Sequence, residues 1–596
     1  MNPKAPPALE LVTQANCLSD LLLHSPSHWM EKPMLSYRTA SGWKTLNRIT
    51  IQQRVLRVAA WLESKGVKTG DRVGILGHNS VEWFIADLAI LRIGGVTVPA
   101  YFTDPAEAVQ YVFTDAGCSL LLVEPGEQHD KIKDMAQLIL PLRGSDKADE
   151  LGKTIPSDAH LELVSRDDRW DVGPQQPTPT RQDLATLIYT SGTTGHPKGV
   201  MLSHGNLLAN VASGLGAVPI LDTDKFLSFL PVSHAFERTI GHFLPLASGA
   251  EIAYAEDVTT LLRDMPEARP TIMISVPRLY EKIYAGVQAK LAQGSLFKRF
   301  LFNTAQNIGL KVFQKQPLSA LEKVLYPLLD SVVNAKLRAK MGGNLRLFIS
   351  GGASLNPSIA KFLLAANITV LPGYGLTEAS PVLCVNPESD IRPESVGPAL
   401  PGVTLKVADD GELLAKSASI MSGYWQKDEA TAEVIDADGW LHTGDIVVLD
   451  DDGYVRIVDR KKEIMVLSNG ENVPPAIVEQ HLTHDPCILQ ALVIGEQRPY
   501  LSALLVLEPS TLAIKWMRDH QSALPTDWLE HPDVQTWLQQ RLQHCTHDLP
   551  SYQQIKRFTL LDKEWTQNNG FLTPTMKVKR RAISSAYADM VENMYD

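Results

Sequence analysis

The sequence has few cysteines and no apolar run long enough to cross a membrane. Its 596 residues include five scattered cysteines without the spacing of a metal site or a redox pair: Cys17, Cys118, Cys384, Cys487 and Cys545. Such cysteines are typical of reduced thiols in a cytosolic protein. No stretch approaches about 18 consecutive apolar residues, so we expect no spanning helix. The first residues also lack the apolar core of a signal peptide.

Excess positive charge is absent as well. The net charge of −11 argues against a general nucleic-acid binder, and we expect no nucleic-acid partner. The hydrophobic share of 44% and the charged share of 21% are those of an ordinary globular protein. The chain is too long for one core and is expected to form at least two domains. We expect a cytoplasmic protein whose membrane contact, if any, is peripheral at the inner face.

A loop rich in glycine and hydroxyl groups follows a predicted buried strand. The strand covers Leu184–Ile188, and the loop runs from Tyr189 to Gly199. Its glycines allow positive φ and a close approach to a ligand, while hydroxyls and Lys198 supply donors and a positive charge. Such a loop can cradle phosphate, although it lacks the Gly-Lys-Ser/Thr ending of the common nucleotide loop. A mobile linker is the plainer alternative.

The string Tyr-Thr-Ser-Gly-Thr-Thr-Gly-x-Pro-Lys-Gly resembles the phosphate-loop signature of adenylate-forming enzymes. That family includes acyl-CoA synthetases, luciferases and the adenylation domains of peptide synthetases. The resemblance implies a catalytic role for Lys198. It also implies that the following residues bind ATP: Thr190, Ser191, Gly192, Thr193, Thr194 and Gly195.

Later strings resemble further signatures of the family, in the same order along the chain. A Gly-Gly turn after the predicted strand at residues 346–350 resembles the family's adenine contact and implies that role for Gly352 and Ala353. In residues 369–378, Tyr374 offers a face for stacking adenine and Glu378 a hard carboxylate for Mg²⁺. The resemblance adds these ATP-binding residues: Gly373, Gly375, Thr377, Asp445 and Arg460.

These roles have a chemical rationale. Thr377 offers a hydroxyl for the α-phosphate, and Asp445 can accept hydrogen bonds from both ribose hydroxyls because an ionised carboxylate is an acceptor only. Arg460 would be a second ribose or phosphate contact. We assign Mg²⁺ to Thr190 and Glu378, and a catalytic role to Glu378 as well.

The order of predicted elements favours an α/β fold. Strands alternate with helices from residue 22 to residue 100, a pattern typical of a parallel sheet with helical crossovers. Short strands at residues 491–494 and 501–506 indicate a second α/β unit. The resemblance implies a large N-terminal domain of layered sheets and helices, residues 1–459, and a small mobile C-terminal domain, residues 460–596.

Other motifs indicate how the acyl group, the thiol and the catalytic lysine are placed. Residues 229–239 resemble the version found in long-chain acyl-CoA synthetases, which implies acyl binding by His234 and Phe236. Gly470 would line the channel for coenzyme A, although a plain hairpin turn also explains residues 468–470. Lys577 matches the family's catalytic lysine. Many relatives have glycine where this chain has Met576, which leaves Lys579 as a rival.

A basic helical stretch covers residues 281–341. It contains ten basic residues against three acidic ones, interleaved with large apolar side chains. One interpretation is a surface that contacts an anionic membrane and receives fatty acids there. The plainer interpretation, which we favour on sequence grounds, is a set of ordinary amphipathic helices with basic solvated faces.

The resemblance covers nearly the whole chain and implies a two-step ligase with ATP, Mg²⁺ and coenzyme A. It would activate long-chain fatty acids to acyl-CoA through acyl-AMP, releasing pyrophosphate and AMP. Two other functions stay open at this point: a fatty acyl-AMP ligase that loads a carrier protein, and a non-catalytic lipid-binding protein. Acyl chain length and oligomeric state do not follow from the sequence.

Overall fold

Two sheets of mainly parallel strands build the larger part of the protein. The computed structural model describes residues 7–143, 160–190, 196–257, 259–567, 569–573 and 578–595. The first sheet has this spatial order: Val382–Val385, Val370–Gly375, Leu347–Ser350, Ile272–Ser275, Lys225–Ser228, Glu251–Tyr254, Pro33–Thr39, Gly42–Asn47. The second has this order: Gly423–Tyr424, Lys198–Ser203, Leu184–Thr190, Val96–Ala100, Arg72–Leu76, Leu120–Val123, Leu138–Pro141.

Helices connect these strands and cover the sheets. The longer α-helices of the larger part are Arg48–Ser64, Val81–Arg92, Ala106–Asp115, His204–Ala217, Pro277–Ala292, Leu296–Phe313, Ala320–Leu329 and Pro357–Ala365. Shorter ones are Pro7–Gln14, Asp20–Leu23, Glu127–Asp130, Leu161–Arg166, Leu244–Ser248, Leu261–Ala268, Ala335–Lys340 and Asp428–Ala432. Glu237–Phe243 and Asp330–Asn334 are π-helical.

Local sequence explains how these elements begin and pair. Ser203 caps the helix His204–Ala217 in a capping box with Asn206. Ser80 caps the helix that begins at Val81 by accepting a hydrogen bond from a backbone N–H. The strand Arg72–Leu76 runs parallel to both of its neighbours, so the predicted parallel sheet is confirmed.

The remaining strands form smaller sheets toward the C-terminus. A third, antiparallel sheet has the order Thr404–Val407, Glu412–Lys416, Leu441–Leu449, Val455–Arg460. A short hairpin of Met465–Val466 and Asn472–Val473 follows. The last sheet contains Ile488–Ile494, Leu501–Leu507 and Ile555–Leu561, with helices Pro475–Leu482, Pro509–His520, Pro532–Cys545, Arg580–Ala586 and Ala588–Glu592.

The two parts of the chain have separate cores. The main core joins the first two sheets through large buried side chains such as Trp61, Trp83 and Phe226. Another core, which includes Trp516 and Trp537, lies within the C-terminal part. Among the residues with described placement, no helix is long and apolar enough to cross a membrane.

Candidate active site

The glycine-rich loop connects two paired strands of the second sheet. Leu184–Thr190 and Lys198–Ser203 are antiparallel, and Thr190 lies directly opposite Lys198 in their register. The predicted ATP-binding residues from Ser191 to Gly195 lie outside the described residues. The described ends of the loop therefore place a hydroxyl and a positive charge side by side, as a phosphate site requires.

Tyr424 brings Lys198 and Glu378 together. Its hydroxyl donates a hydrogen bond to Oε1 of Glu378 at 2.8 Å. The Nζ atom of Lys198 lies over the tyrosine ring, 4.7 Å from its centroid, in the geometry of a cation–π contact. Burial and the carboxylate of Glu378 raise the pKa of Tyr424 well above its ordinary value. The phenol therefore stays protonated and can act as the donor of this hydrogen bond.

The backbone explains why these three side chains meet. The strand Gly423–Tyr424 pairs with Lys198–Ser203 at the edge of the second sheet. Glu378 lies in a 3₁₀ turn that follows the first-sheet strand Val370–Gly375. The N–H of Met421 donates to the carbonyl of Glu378 at 2.8 Å, which joins the two segments. The site thus lies where the first and second sheets meet.

A second set of polar contacts surrounds Asp445, which is 3% exposed. The hydroxyl of Tyr374 donates to Oδ2 of Asp445 at 2.5 Å, and Nε of Arg460 lies 3.0 Å from Oδ1. Burial and then Asp445 raise the pKa of Tyr374 well above its ordinary value. Burial acts to lower the pKa of Arg460, but Asp445 and the weaker influences of Tyr374, Glu463 and Glu378 together outweigh it, and the pKa is raised. A carboxylate has about four acceptor sites, so Asp445 retains capacity for ligand hydroxyls.

The Gly-Gly turn and the proposed acyl-binding residues lie against each other. A Cβ atom added to Gly351 would meet the ring of Phe236 at 2.8 Å, so only glycine allows this contact. The next residue, Gly352, has a φ of +80°, which favours glycine. Ala353 is exposed beside it. His234 is half-buried, and its Nδ1 accepts a hydrogen bond from the backbone N–H of Phe236 at 3.1 Å.

The segment from Gly373 to Thr377 approaches its neighbours closely. A Cβ atom on Gly375 would lie 1.9 Å from the carbonyl oxygen of Pro381, which excludes any side chain there. Gly373 pairs with Val385 in the adjacent strand. Thr377 is buried at the start of the 3₁₀ turn that carries Glu378. Close approach of neighbouring backbone therefore explains why this motif contains glycines.

The C-terminal candidates are only partly described. Gly470 lies in the turn of the hairpin that joins Met465–Val466 and Asn472–Val473, with a φ of +87° and open space around it. Lys577 lies outside the described residues. The N–H of Lys579 donates to the carbonyl of Phe571 at 2.8 Å. Burial raises the pKa of Asp104, and the nearby charge of Lys579 acts against this rise.

Other contacts join the C-terminal part to the large part. The guanidinium of Arg278 pairs with Glu564 at 2.5 Å. Nε2 of His484 lies 3.0 Å from Oδ1 of Asn356. The small part therefore rests on the large one near the end of the first sheet.

Glu378 fits the chemistry of a magnesium ligand. Within the described part of the chain, no group of three or more His, Cys, Asp or Glu side chains is arranged to hold a metal ion. Mg²⁺ is often bound by only one or two carboxylates together with substrate phosphates. Tyr424 bonds to one oxygen of Glu378, so the second oxygen can accept such an ion.

Sequence reasoning missed two features of the site. No role was predicted for Tyr424, because its partners are distant in sequence. The second is a buried network in which Arg238 pairs with Asp87 and donates to the hydroxyl of Thr186 at 2.6 Å. This network fixes the strand that leads into the glycine-rich loop. Nothing in the local sequence of either residue indicates the pairing.

Solved structures share this architecture. The adenylation domain of a carboxylate reductase from Mycobacterium chelonae superimposes with a TM-score of 0.77 and 22% identity, covering 99% of this chain and 92% of that one. The fold is thus that of an adenylation domain with a smaller C-terminal domain. The predicted mixed α/β class, with a large N-terminal and a small C-terminal part, is confirmed.

Family models identify the chain more closely. A model described as AMP-binding enzyme matches residues 22–425, and one described as AMP-binding enzyme C-terminal domain matches residues 462–596. The chain therefore belongs to the family of AMP-binding enzymes, which confirms the resemblance inferred from the motifs.

Curated relatives extend the similarity over most of the chain. A long-chain-fatty-acid–CoA ligase of Mycobacterium bovis is 33% identical over 93% of this chain and 93% of its own length. A human long-chain-fatty-acid–CoA ligase is 32% identical, covering 94% of this chain and 90% of its own length.

Proposed function

We propose that this protein is an ATP-dependent ligase that converts long-chain fatty acids to acyl-CoA through acyl-AMP. The observation that carries the proposal is the meeting of Lys198 and Glu378 on Tyr424, beside the glycine-rich loop. This places a phosphate-binding cation and a magnesium ligand at one point. The names of the curated relatives support long-chain fatty acids and coenzyme A as the other substrates.

The proposed protein has two domains, divided between residues 459 and 460 as the sequence predicts. Residues 1–459 bind ATP and the acyl group, and residues 460–596 form a mobile domain that carries the catalytic lysine. The separate C-terminal core supports this division. The hinge would lie near Arg460, where the last strand of the third sheet ends.

In the first step a fatty-acid carboxylate oxygen attacks the α-phosphorus of ATP, and the bond to pyrophosphate breaks. Asp445 and Arg460 hold the ribose, Tyr374 and the Gly352–Ala353 turn hold adenine, and Thr377 contacts the α-phosphate. Lys198 and Lys577 neutralise the phosphates, since fixed charges aimed at developing charge lower the barrier. Mg²⁺ bound by Thr190 and Glu378 would supply further charge neutralisation when present.

The acyl group would enter beside the Gly-Gly turn. The ring of Phe236 lies against Gly351, and His234 fixes the backbone of Phe236. This contact supports an acyl site next to the adenine site, where the carboxylate can reach the α-phosphorus. Positioning of the two reactants accounts for a large share of the rate in such reactions.

In the second step the thiol of coenzyme A attacks the acyl carbonyl, its proton is lost, and AMP leaves. The small domain rotates between the steps, because Lys577 and the thiol cannot approach the same face of acyl-AMP together. Gly470 would then line the thiol channel. Its turn has open space on the side where a Cβ atom would stand, which supports room for the narrow pantetheine arm.

We further propose that the enzyme acts in the cytoplasm and contacts the inner face of an anionic membrane. The five cysteines are free, which supports a reducing compartment.

Exchange of labelled pyrophosphate into ATP, measured with palmitate and without coenzyme A, tests the first step. Lys577→Ala should lower the exchange rate by about a hundredfold or more, as expected for the loss of a charge contact in the transition state. Lys579→Ala is the matched control and should retain exchange. The reverse result would make Lys579 the catalytic lysine. Exchange unchanged in both variants would refute the mechanism, and no exchange in the wild type would refute the enzyme assignment.

A further inference from the structure

Two neighbouring helices, Leu296–Phe313 and Ala320–Leu329, expose large apolar side chains. We call them the helical hairpin, since they pack against each other along a shared core. The exposed residues of the first helix are Leu296 (82%), Phe297 (68%) and Phe300 (65%), and those of the second are Leu321 (67%), Val324 (74%) and Leu328 (61%). In the second helix the spacing of three and four residues places them along one face. Val332 continues that row.

The two helices also have the buried apolar face that surface helices normally have, so the exposed apolar residues are not needed for packing. Ala305, Ile308 and Leu329 form the core between the two helices. The first helix is also fixed to the large domain, because Gly309 lies so close to Ala365 that a Cβ atom would be 2.0 Å from its carbonyl oxygen. A surface helix normally turns polar side chains to water on the face opposite its core. The helices of the hairpin instead carry apolar side chains both on the buried face and on part of the exposed face.

The exposed rows lie among surplus positive charges. Lys298, Lys323 and Lys336 are exposed, and none has an ion-pair partner within the described part of the protein. Lys290 contacts Lys340 and lowers the pKa of that neighbouring lysine, as adjacent like charges do.

The nearby acidic residues are already paired. Glu322 binds Lys311 at 2.6 Å, and Asp330 binds Arg338 at 2.7 Å. The unpaired lysines therefore have no local counter-charge.

We propose that the helical hairpin docks on the surface of an anionic bilayer, with its apolar rows in the headgroup region. Its Lys298 and Lys323, together with Lys336 of the adjoining helix Ala335–Lys340, would contact lipid phosphates. Exposed apolar side chains flanked by lysine are the composition that binds such surfaces. This inference rests on the proposed function for its purpose, since long-chain fatty acids partition into bilayers.

A second copy of the chain fits this surface less well. A two-fold symmetric contact would place the same patch of both subunits together, and the unpaired lysines would face one another. The rest of the protein is strongly acidic, with a net charge of −11 for the whole chain. An acidic lipid surface is complementary to the basic hairpin and would orient the enzyme with this face toward the bilayer.

Vesicle co-sedimentation of the full-length protein tests the proposal. The vesicles are phosphatidylcholine alone, or an equal mixture of phosphatidylcholine and phosphatidylglycerol. One variant replaces the apolar row as Leu321→Gln, Val324→Gln and Leu328→Gln. Its control makes the same change at similarly exposed positions elsewhere, namely Val172, Leu221 and Leu262. A second variant replaces Lys298, Lys323 and Lys336 with Glu, and its control changes the exposed Lys44, Lys68 and Lys133.

We expect the wild type to bind the anionic vesicles and to release them as salt is raised. Each hairpin variant should lose about tenfold or more in vesicle partitioning, whereas both controls retain it. Equal binding by hairpin and control variants, or no preference of the wild type for anionic vesicles, would overturn the proposal. A concentration-dependent dimer abolished by the apolar variant would also overturn it and assign the surface to a second copy.

AMP formation with palmitate carried on albumin separates this inference from the proposed function. Hairpin variants should keep wild-type rates in that assay, because none of the changed residues belongs to the proposed active site. If the wild type forms AMP normally but does not bind the vesicles, the proposed docking surface is refuted and the proposed function is not. Vesicle binding without AMP formation would refute the proposed function alone.

Discussion

Replacing Tyr424 with phenylalanine isolates the hydroxyl that joins the tyrosine to Glu378. The ring remains, so its contact with Lys198 at 4.7 Å is retained. Only the 2.8 Å hydrogen bond to the carboxylate is lost. The Glu378 side chain is then free to turn away from the position in which it would meet MgATP.

The size of the effect follows from the charge of the acceptor. A hydrogen bond to a charged group contributes about 1.5–3 kcal/mol, which corresponds to about a ten- to hundredfold change in rate. We expect Tyr424→Phe to lower kcat/KM for ATP by about that factor and to raise the Mg²⁺ concentration needed for half-maximal rate. Tyr424→Ala also removes the cation–π contact, worth about 0.5–2 kcal/mol, and should be slower still.

The chain offers a matched control in Tyr454. This residue is 7% exposed against 6% for Tyr424, and its hydroxyl donates to Asp390, whose carbonyl oxygen lies at 2.8 Å and whose carboxylate oxygen lies at 3.0 Å. Its ring also lies under a cation, Arg392, at 3.8 Å. Tyr454→Phe therefore removes a similar hydrogen bond outside the proposed site.

The assay is steady-state AMP formation with palmitate and coenzyme A, titrated with ATP and with Mg²⁺. Tyr454→Phe should match the wild type in both titrations. Wild-type ATP and Mg²⁺ dependence in Tyr424→Phe would refute the role of this hydroxyl. An equal loss in both variants would show that the effect is one of stability.

Three further changes test other parts of the site and a buried carboxyl group next to Phe236 in the sequence. Gly351→Ala places a methyl group 2.8 Å from the ring of Phe236 and should raise KM for the fatty acid several-fold, whereas Gly286→Ala, with open space around it, should not. Asp445→Asn should raise KM for ATP about tenfold or more with a smaller change in kcat, since it removes a charged acceptor for the ribose. Burial raises the pKa of Glu237 from 4.5 to about 8. The folded protein therefore keeps a proton that the unfolded chain releases, and its stability falls as pH rises through that interval. The Tm of the wild type should fall more over this pH interval than the Tm of Glu237→Gln. An equal dependence of Tm on pH in both proteins would contradict the raised pKa of Glu237.

Local sequence predicted much of the framework of the site. The strand before the glycine-rich loop follows from an apolar run, a signal that acts over a few residues. Gly352 has a positive φ that favours glycine, and a Cβ atom on Gly375 would collide with Pro381. Motif order then led to the family, because each string is constrained by the same nucleotide.

Contacts between distant segments could not be predicted in this way. Tyr424 meets Glu378 across 46 residues, and Arg238 meets Asp87 across 151. Such pairs depend on the packing of one sheet against another, which no local periodicity encodes. The helical hairpin shows the same limit. Its apolar and basic residues were evident in the sequence, and ordinary amphipathic helices were the favoured interpretation, but the row at Leu321 is exposed and that interpretation does not explain it.

The most direct test of the central claim is AMP formation from ATP and Mg²⁺ with a series of fatty acids from short to long, each with and without coenzyme A. The account predicts turnover that requires coenzyme A and is fastest with long chains. Pyrophosphate release without turnover dependent on coenzyme A would assign the protein to the carrier-loading ligases instead. No reaction with any acid would contradict the account altogether.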